Sequence, residues 1–258
     1  MIDSRIPIVH SFPDKQSLTI LFSSDMHVGN PCFDERRWRE FEKLLDDPDT
    51  YVIFAGDLFE MALPRSRSSV FEQSIPPREQ KRWWIDRLKP YADKVLCLKD
   101  GNHERRASRE SDSYPLYDVA CALGIEDRYR ATGAFVDIGV GRVTHGGNNG
   151  KPWRYVVRVN HKAKNLVHFG TSDCFEGIDL FVSGHTHQPR ELPRGKMVYD
   201  PNHKSVSTRT VENVVCGSFL SYGGYGEDDG LRVPAETLYK ARLSGTRKSL
   251  EVTAFYLD

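Results

Sequence analysis

The segment Val95-Leu96-Cys97-Leu98-Lys99-Asp100-Gly101-Asn102-His103-Glu104 passes from a short apolar run directly into polar residues. An apolar run of this length is typical of a buried strand that opens into a loop. Gly101 permits a tight turn there, Asn102 offers a carbonyl oxygen to a metal ion, and His103 can bind a metal or transfer a proton. The segment indicates a functional loop after a core strand, although a plain polar turn would give the same pattern.

The composition is that of an ordinary globular protein. Of 258 residues, 39% are hydrophobic and 28% are charged, and the formal net charge is zero. The overall charge therefore does not favour binding to nucleic acid or to an anionic membrane. We expect a single domain over residues 1–258. No apolar run approaches the roughly 20 residues of a transmembrane helix, residues 1–7 lack the layout of a signal peptide, and the five cysteines are scattered. These features predict a cytoplasmic protein without a membrane partner.

Potential ligand side chains follow other apolar runs in the same way. Asp25 and His27 lie two positions apart after the run 17–23, so both side chains can point to one site if the segment is extended. In α/β proteins, sites form at the carboxyl ends of strands. The full set of such residues is Asp25 and His27, Asp57, Asn102 and His103, His145, and His185 and His187.

The rest of the chain alternates predicted helices and strands. Apolar residues at helical spacing predict a helix over 34–46 with Asp34 as its N-cap. Residues 135–145 predict a hairpin. Residues 148–170, rich in basic and aromatic side chains, are interpreted as an insertion within the domain. Four more strands are predicted, at Lys196–Tyr199, Ser205–Ser218, Thr237–Leu243 and Leu250–Tyr256.

The ordered blocks Asp-x-His, Gly-Asp, Gly-Asn-His-Glu, His-Gly and Gly-His-x-His resemble those of the calcineurin-like metallophosphoesterase superfamily. The blocks extend from Asp25 to His187. The resemblance implies an α/β fold of the α+β kind, in which a two-sheet β-sandwich is flanked by helices and carries two metal ions at one edge.

The resemblance also implies a role for each strand-end residue. Asp57 would bridge the two metals, and His103 would stand near them as a general acid. His161 and His168 compete with His145 for its position, and the His-Gly block favours His145. The implied ligands are Asp25, His27 and His187 for one metal, and Asn102, His145 and His185 for the other.

Mixed carboxylate, imidazole and amide ligands suit transition metals. Mn is the first expectation, with Fe, Zn or Ni as alternatives. A metal-bridging hydroxide would attack the phosphoester, and His103 would protonate the leaving oxygen. We expect the Glu60 carboxylate to orient His103, and Asn102 with Arg105 or Arg106 to contact the substrate phosphate. A solvated basic turn is the other interpretation of the two arginines.

The function predicted from these features is that of a binuclear metal-dependent phosphoesterase, first of all a phosphodiesterase acting on nucleotides or nucleic acid. The cations Arg154, Arg158 and Lys162 beside the His145 block suggested a surface for a polyanion. An amphipathic helix with a solvated basic face would explain them equally. A phosphomonoesterase for small molecules or phosphoprotein is the alternative function, and a non-catalytic scaffold is the remaining one.

Overall fold

The computed structural model describes residues 5–66, 68–142, 150–162, 175–228, 230, 232–233 and 235–257. Within these ranges, no helix is both long enough and apolar enough to cross a membrane. The strands are β1 (Ile8–Phe12), β2 (Ser17–Ser23), β3 (Thr50–Phe54), β4 (Val95–Lys99), β5 (Tyr129–Arg130), β6 (Ala134–Val140), β7 (Trp153–Val159), β8 (Leu180–Ser183), β9 (Arg190–Glu191), β10 (Arg194–Asp200), β11 (Ser205–Val215), β12 (Leu238–Ser244) and β13 (Leu250–Phe255). The α-helices are α1 (Glu35–Lys43), α2 (Pro77–Leu88), α3 (Asn102–Ser111), α4 (Pro115–Leu123) and α5 (Tyr225–Asp228).

The described strands form two mixed sheets. One has the order β13-β12-β2-β3-β4-β5, and the other has the order β1-β6-β7-β8-β11-β10, with β9 also paired to β11. Strands β2, β3, β4 and β5 run parallel to one another, and so do β7, β8 and β11. The carboxyl ends of these parallel strands therefore point to the same edge of each sheet.

The two sheets pack face to face and share one apolar core. Ile20, Phe22 and Ile53 of the first sheet lie in the same buried cluster as Val157 and Val182 of the second. A second cluster joins the other face of the first sheet to helices α1, α2 and α4, with Trp38 and Trp84 at its centre. The prediction of a two-sheet sandwich flanked by helices is confirmed.

Helix α1 forms as its pattern predicts. Trp38 and Phe41 are fully buried, and the Asp34 side chain accepts a hydrogen bond of 3.0 Å from the backbone N–H of Arg37. A 3₁₀ turn over Leu44–Asp46 ends the element. The N-cap satisfies one of the donors that a helix leaves unpaired at its start.

The interpretation of residues 148–170 as an insertion does not fit the part of this segment that the structure describes, residues 150–162. Trp153–Val159 is β7, a strand that pairs with both β6 and β8 inside the second sheet. Its buried side chains alternate, with Tyr155, Val157 and Val159 facing the core between the sheets. The alternation is a strand signal, and the arginines between the apolar residues obscured it. The hairpin predicted over 135–145 is instead the pair β6–β7.

Candidate metal centre

The site lies at the edge where the parallel strands of both sheets end. Backbone hydrogen bonds join the loops that follow β2 and β3, from the N–H of Asp25 to Gly56 O at 3.0 Å and from the N–H of His27 to Asp57 O at 3.1 Å. Asn102 and His103 open α3 directly after β4, so the predicted functional loop is in fact the start of a helix. The loops after β7 and β8 supply residues from the opposite sheet.

Several residues of this edge hold backbone conformations that side-chain-bearing residues rarely adopt. A positive φ in a residue other than glycine is uncommon and costs free energy. Such strain persists only where the surroundings impose it, and it concentrates at functional sites. The strand-end residues with positive φ are Asp25 (53°), His27 (51°), Asp57 (53°), His185 (75°) and His187 (54°).

Two glycines allow the loops to approach one another closely. A Cβ on Gly101 would lie 2.0 Å from Asp57 Oδ1, and a Cβ on Gly184 would lie 2.0 Å from Ser24 Oγ. Both separations are far below contact distance, so a larger residue would displace the loops. The approach lets Asp57 Oδ1 accept a hydrogen bond of 2.9 Å from the backbone N–H of His103.

Glu104 fixes the loop that carries Asp57. Its buried carboxylate accepts the backbone N–H groups of Asp57 (3.1 Å), Leu58 (2.7 Å), Phe59 (3.2 Å) and Gly101 (2.7 Å). A buried carboxylate with four amide donors keeps its partners in place. The sequence analysis gave Glu104 no role, because nothing in the local pattern shows which distant amides its side chain reaches.

One group of potential ligands consists of Asp25, His27 and His187. His187 Nε2 lies 3.3 Å from Asp25 Oδ1 and 3.3 Å from His27 Nε2. His27 Nε2 lies 3.9 Å from Asp25 Oδ1. The structure therefore brings together the three residues that the resemblance implied for one metal.

A second group consists of Asp57, His161 and His185, and its ligand atoms all lie within 4.8 Å of one another. His161 Nε2 is 3.1 Å from Asp57 Oδ2 and 3.2 Å from Asn102 Oδ1. Its Nδ1 lies 2.9 Å from Ala55 O. Donation of the Nδ1 proton to that carbonyl leaves Nε2 free to bind a metal. His145, the ligand that the sequence analysis favoured, lies outside the described residues, as does His168.

Glu60 makes a different contact from the one predicted. Its carboxylate Oε2 lies 3.4 Å from His27 Nδ1 and accepts a hydrogen bond of 2.9 Å from Asn30, while Ser68 donates to Oε1. The group facing His103 Nδ1, at 2.6 Å, is the backbone carbonyl of Glu60. The expected carboxylate–His103 pairing is absent because these contacts turn the longer glutamate side chain toward His27.

Burial and neighbouring charges shift the pKa values of the carboxyl and imidazole groups in the site. Burial raises the pKa of Asp25, but the His187 and His161 rings outweigh it and lower this pKa to about 2. Burial lowers the pKa of His27, whereas Glu60 and Asp57 raise it to about 9. Such perturbed groups clustered at one edge are typical of a functional site.

Burial lowers the pKa of His161, but Asp57 outweighs it and raises this pKa, as at His27. Two other imidazoles shift in the opposite direction. Burial is the main cause that lowers the pKa of His103 to about 4, and the neighbouring His27 adds to it. Burial, with His161 and Lys162, lowers the pKa of His185 to about 4. The neutral ring of His185 presents a lone pair rather than a proton, as a metal ligand must.

These residues fit a pair of transition-metal ions. Asp25 Oδ1 is buried and has no hydrogen-bond partner in the described part of the chain. Close imidazole nitrogens such as Nε2 of His27 and His187 are compatible with a shared cation between them. Carboxylate, imidazole and amide donors together suit Mn, Fe, Zn or Ni. The residues present therefore match the binuclear site that the sequence predicts, although they do not distinguish among these metals.

A cavity of about 480 Å³ opens over the two groups. His103, Asn102 and Arg106 line it, together with Gln188 and Arg232 from the opposite wall. The Arg106 guanidinium donates to the backbone carbonyls of Glu60 and Met61, at 3.1 and 3.0 Å. Arg106 is therefore held at the mouth of the site.

Of the three cations predicted to form a basic surface, Arg154 and Arg158 lie away from the site. Arg154 and Arg158 lie on the outer face of β7, where Arg154 pairs with Asp137 and Arg158 stacks 4.4 Å over Phe135 and 4.7 Å over Phe175. Only Lys162, just beyond the end of β7, lies beside the site. Because alternate strand residues point to opposite faces, one side of β7 is directed away from the cavity.

Comparison with known protein families identifies the same family that the sequence motifs resemble. The family model described as calcineurin-like phosphoesterase matches residues 18–189. A search of curated proteins found no match.

Solved structures similar to the chain include the calcineurin-like phosphoesterase YfkN from Bacillus subtilis, with 13% identity, coverage of 94% of this chain and 91% of that one, and a TM-score of 0.46. Another is a conserved protein of Streptococcus pneumoniae described as a predicted phosphoesterase, with 12% identity, coverage of 93% and 98%, and a TM-score of 0.39. A third is a Vps29 single mutant from Entamoeba histolytica, with 11% identity, coverage of 93% and 100%, and a TM-score of 0.32.

The family model extends from the second residue of β2 to just beyond β8, and this segment carries every strand-end residue described above. The chain belongs to the calcineurin-like phosphoesterase family.

Proposed function

We propose that the protein is a two-metal phosphodiesterase that acts on nucleotides or nucleic acid. The observation that carries the two-metal part is the position of Asp57. Its Oδ2 lies 3.1 Å from His161 Nε2 and 4.0 Å from His27 Nε2. A carboxylate between two groups of imidazoles can serve both metal positions.

The ligand assignment follows from these distances. Asp25, His27 and His187 would hold one ion, Asn102, His161 and His185 the other, and Asp57 both. His161 takes the position that the sequence analysis gave to His145. When bound, two divalent ions activate water as a nucleophile and stabilise the charge that develops on the phosphate oxygens.

His103 is the proposed proton donor to the leaving oxygen. Its Nδ1 donates to Glu60 O, which fixes the ring so that Nε2 is directed toward the cavity, 3.9 Å from Asp57 Oδ2. A phosphate anion bound next to Nε2 favours the protonated ring and raises its pKa. The backbone contact therefore orients the ring, and the substrate promotes its protonation.

The space around the site favours a diester over a monoester. The cavity over the metal groups meets a second cavity at Asn102 and Arg106, which line both. A diester carries a substituent on each side of the scissile phosphate and needs room on both sides. The cations beside the second cavity support a nucleotide or nucleic-acid substrate.

A substrate panel tests this proposal. Metal-stripped protein is reconstituted with Mn and supplied with bis-p-nitrophenyl phosphate, p-nitrophenyl phosphate, a cyclic nucleotide and a short oligonucleotide. We expect the diesters to have the higher kcat/KM, and Asp57→Asn to abolish the activity. A clear preference for p-nitrophenyl phosphate would instead identify a phosphomonoesterase, and full metal loading without any hydrolysis would support a scaffold.

A further inference from the structure

A second cavity, of about 460 Å³, adjoins the metal centre. Asn102 and His161, which we propose as metal ligands, form part of its wall, so the cavity lies directly beside the proposed metal site. The charged residues that line it are Lys99, Arg105, Arg106, Arg109, Glu110 and Lys162. Five cations thus face one carboxylate, in a chain whose formal net charge is zero.

The outermost of these cations lack carboxylate partners. Arg105, Arg109 and Lys162 are exposed and form no side-chain ion pair within the described residues. Elsewhere on the surface, the cations Arg39 and Lys43 each pair with a glutamate on their own helix.

Two of the arginines, Arg105 and Arg109, lie along one side of helix α3. Asn102, Arg105 and Arg109 are spaced three and four residues apart on α3, so they lie on the same side of the helix. At 1.5 Å per residue, Arg109 lies about 10 Å along the helix axis from Asn102. Two like charges at i and i+4 destabilise a helix, and a bound anion between them would remove that repulsion. Arg105 and Arg109 therefore form a row on α3 that extends outward from the proposed metal ligand Asn102.

We propose that this cavity binds a second phosphate group of the substrate, beside the phosphoester that lies at the metal centre. The inference rests on the proposed phosphodiesterase function and narrows its substrate class. Arg105 and Arg109 can each offer two N–H donors to a phosphate, and Lys162 adds a charge from the opposite wall. The second phosphate is either the neighbouring phosphate of an oligonucleotide or a further phosphate of a nucleoside polyphosphate.

Matched substrate pairs test the cavity. Thymidine 5′-(p-nitrophenyl phosphate) is compared with the same ester carrying a 3′-phosphate, and separately with thymidine 5′-(p-nitrophenyl diphosphate), which carries one more phosphate on the 5′ side. The readout is the ratio of kcat/KM within each pair, with Mn as the metal. We expect a ratio of about ten or more in favour of the extra phosphate, as charge-assisted hydrogen bonds supply. The pair that shows the preference identifies the source of the phosphate.

The variant Arg105→Gln/Arg109→Gln/Lys162→Gln should reduce that ratio to near one. Its control, Arg39→Gln/Lys43→Gln/Arg82→Gln, removes the same charge from the surfaces of α1 and α2 and should keep the wild-type ratio. A ratio near one in the wild type, or a ratio unchanged in the cavity variant, would overturn the inference. The single variant Lys162→Gln, which lies outside α3, should give a partial reduction even if the triple variant fails to fold.

Binding separates this inference from the proposed reaction. Calorimetry compares thymidine 3′,5′-bisphosphate with thymidine 5′-monophosphate at several salt concentrations. We expect the bisphosphate to bind more tightly, and the cavity variant to lose both that advantage and part of the salt dependence. Tighter binding of the bisphosphate would support the second-phosphate site even if the protein hydrolysed no diester. In that case only the phosphodiesterase proposal would be wrong. Thymidine 5′-diphosphate is titrated in the same way to represent a polyphosphate. Equal binding of the monophosphate, the bisphosphate and the diphosphate by the wild type would refute the second-phosphate site.

Discussion

The carboxylate of Glu60 faces His27, with Oε2 3.4 Å from the Nδ1 atom of that ring. The backbone carbonyl of the same residue accepts from Nδ1 of His103, at 2.6 Å. One residue therefore orients two imidazoles through two different groups. A change to its side chain should affect the proposed metal ligand and leave the contact to the proposed acid in place.

We expect Glu60→Gln to weaken metal binding about 10–100-fold, because carboxylates that orient a ligating histidine contribute roughly this much to affinity. The measurement is a titration of metal-stripped protein with Mn in competition with a chelator. Ser68→Ala is the matched control, since it removes one contact to Glu60 and keeps the carboxylate. A Glu60→Gln variant with wild-type affinity and reduced kcat would mean that the carboxylate acts through His103 after all.

Replacing His103 should separate metal binding from catalysis. We expect His103→Ala to keep its metals and to lose kcat by roughly 10²–10⁴, the usual contribution of a general acid. The loss should be smaller for nitrophenyl esters, whose leaving group needs little protonation. Elemental analysis accompanies the kinetics, because His103 also lies close to His27 and Asp57. Loss of a metal from this variant would make His103 a ligand.

The structure favours His161 and the sequence pattern favours His145 as the same metal ligand, and replacing each residue distinguishes the two assignments. We expect His161→Ala to bind about one Mn per chain where the wild type binds two, because His161 Nε2 lies beside Asp57 and Asn102. His145→Ala should retain both. Metal content after gel filtration measures the difference, and the reverse outcome would restore His145 as the ligand.

Metal binding should release protons. In the metal-free protein, burial lowers the pKa of His27, but Glu60 and Asp57 raise it to about 9, so the ring is protonated at pH 7. This folded-state pKa exceeds the ordinary value of 6.5. The charged ring therefore stabilises the metal-free fold fully below pH 6.5, and that contribution disappears as the pH rises through 9.

A metal must displace the proton on His27, so apparent affinity for Mn should increase between pH 6.5 and 9. Calorimetry in buffers of different ionisation enthalpy counts the protons released. Glu60→Gln removes the first carboxylate that holds the proton and should release fewer. An affinity independent of pH over this range would show that His27 is neutral before the metal binds.

The strand-end pattern predicted most residues of the candidate site because it is a local signal. An apolar run followed by Asp25, Asp57 or His185 marks where a buried strand reaches an edge, and parallel strands bring those edges together. The two-sheet architecture followed from the family resemblance that these residues carry. What could be predicted in this way was the identity of the side chains at the edge.

The features that sequence reasoning missed depend on where a side chain points in three dimensions. His161, which the sequence pattern ranked behind His145, follows β7, whose alternating Tyr155, Val157 and Val159 could have identified this segment as a strand. Glu60 is directed to His27 by Asn30, which no spacing in the chain reveals. Arg158 was interpreted as a surface cation, although its guanidinium stacks on aromatic rings of the outer sheet face.

The proposed ligands come from both sheets, with Asp25, His27, Asp57 and Asn102 on one and His161, His185 and His187 on the other. Ions held between them would cross-link the two sheets at this edge, as a disulfide cross-links two segments of a chain. Removal of the ions would leave the two layers joined here by fewer bonds, among them those from His161 Nδ1 to Ala55 O and from the His185 N–H to Asp25 Oδ2. Amide hydrogens near the ends of β4 and β8 should then exchange faster, and the protein should become easier for proteases to cut. Metal supply would then govern how long the chain survives as well as whether it is active.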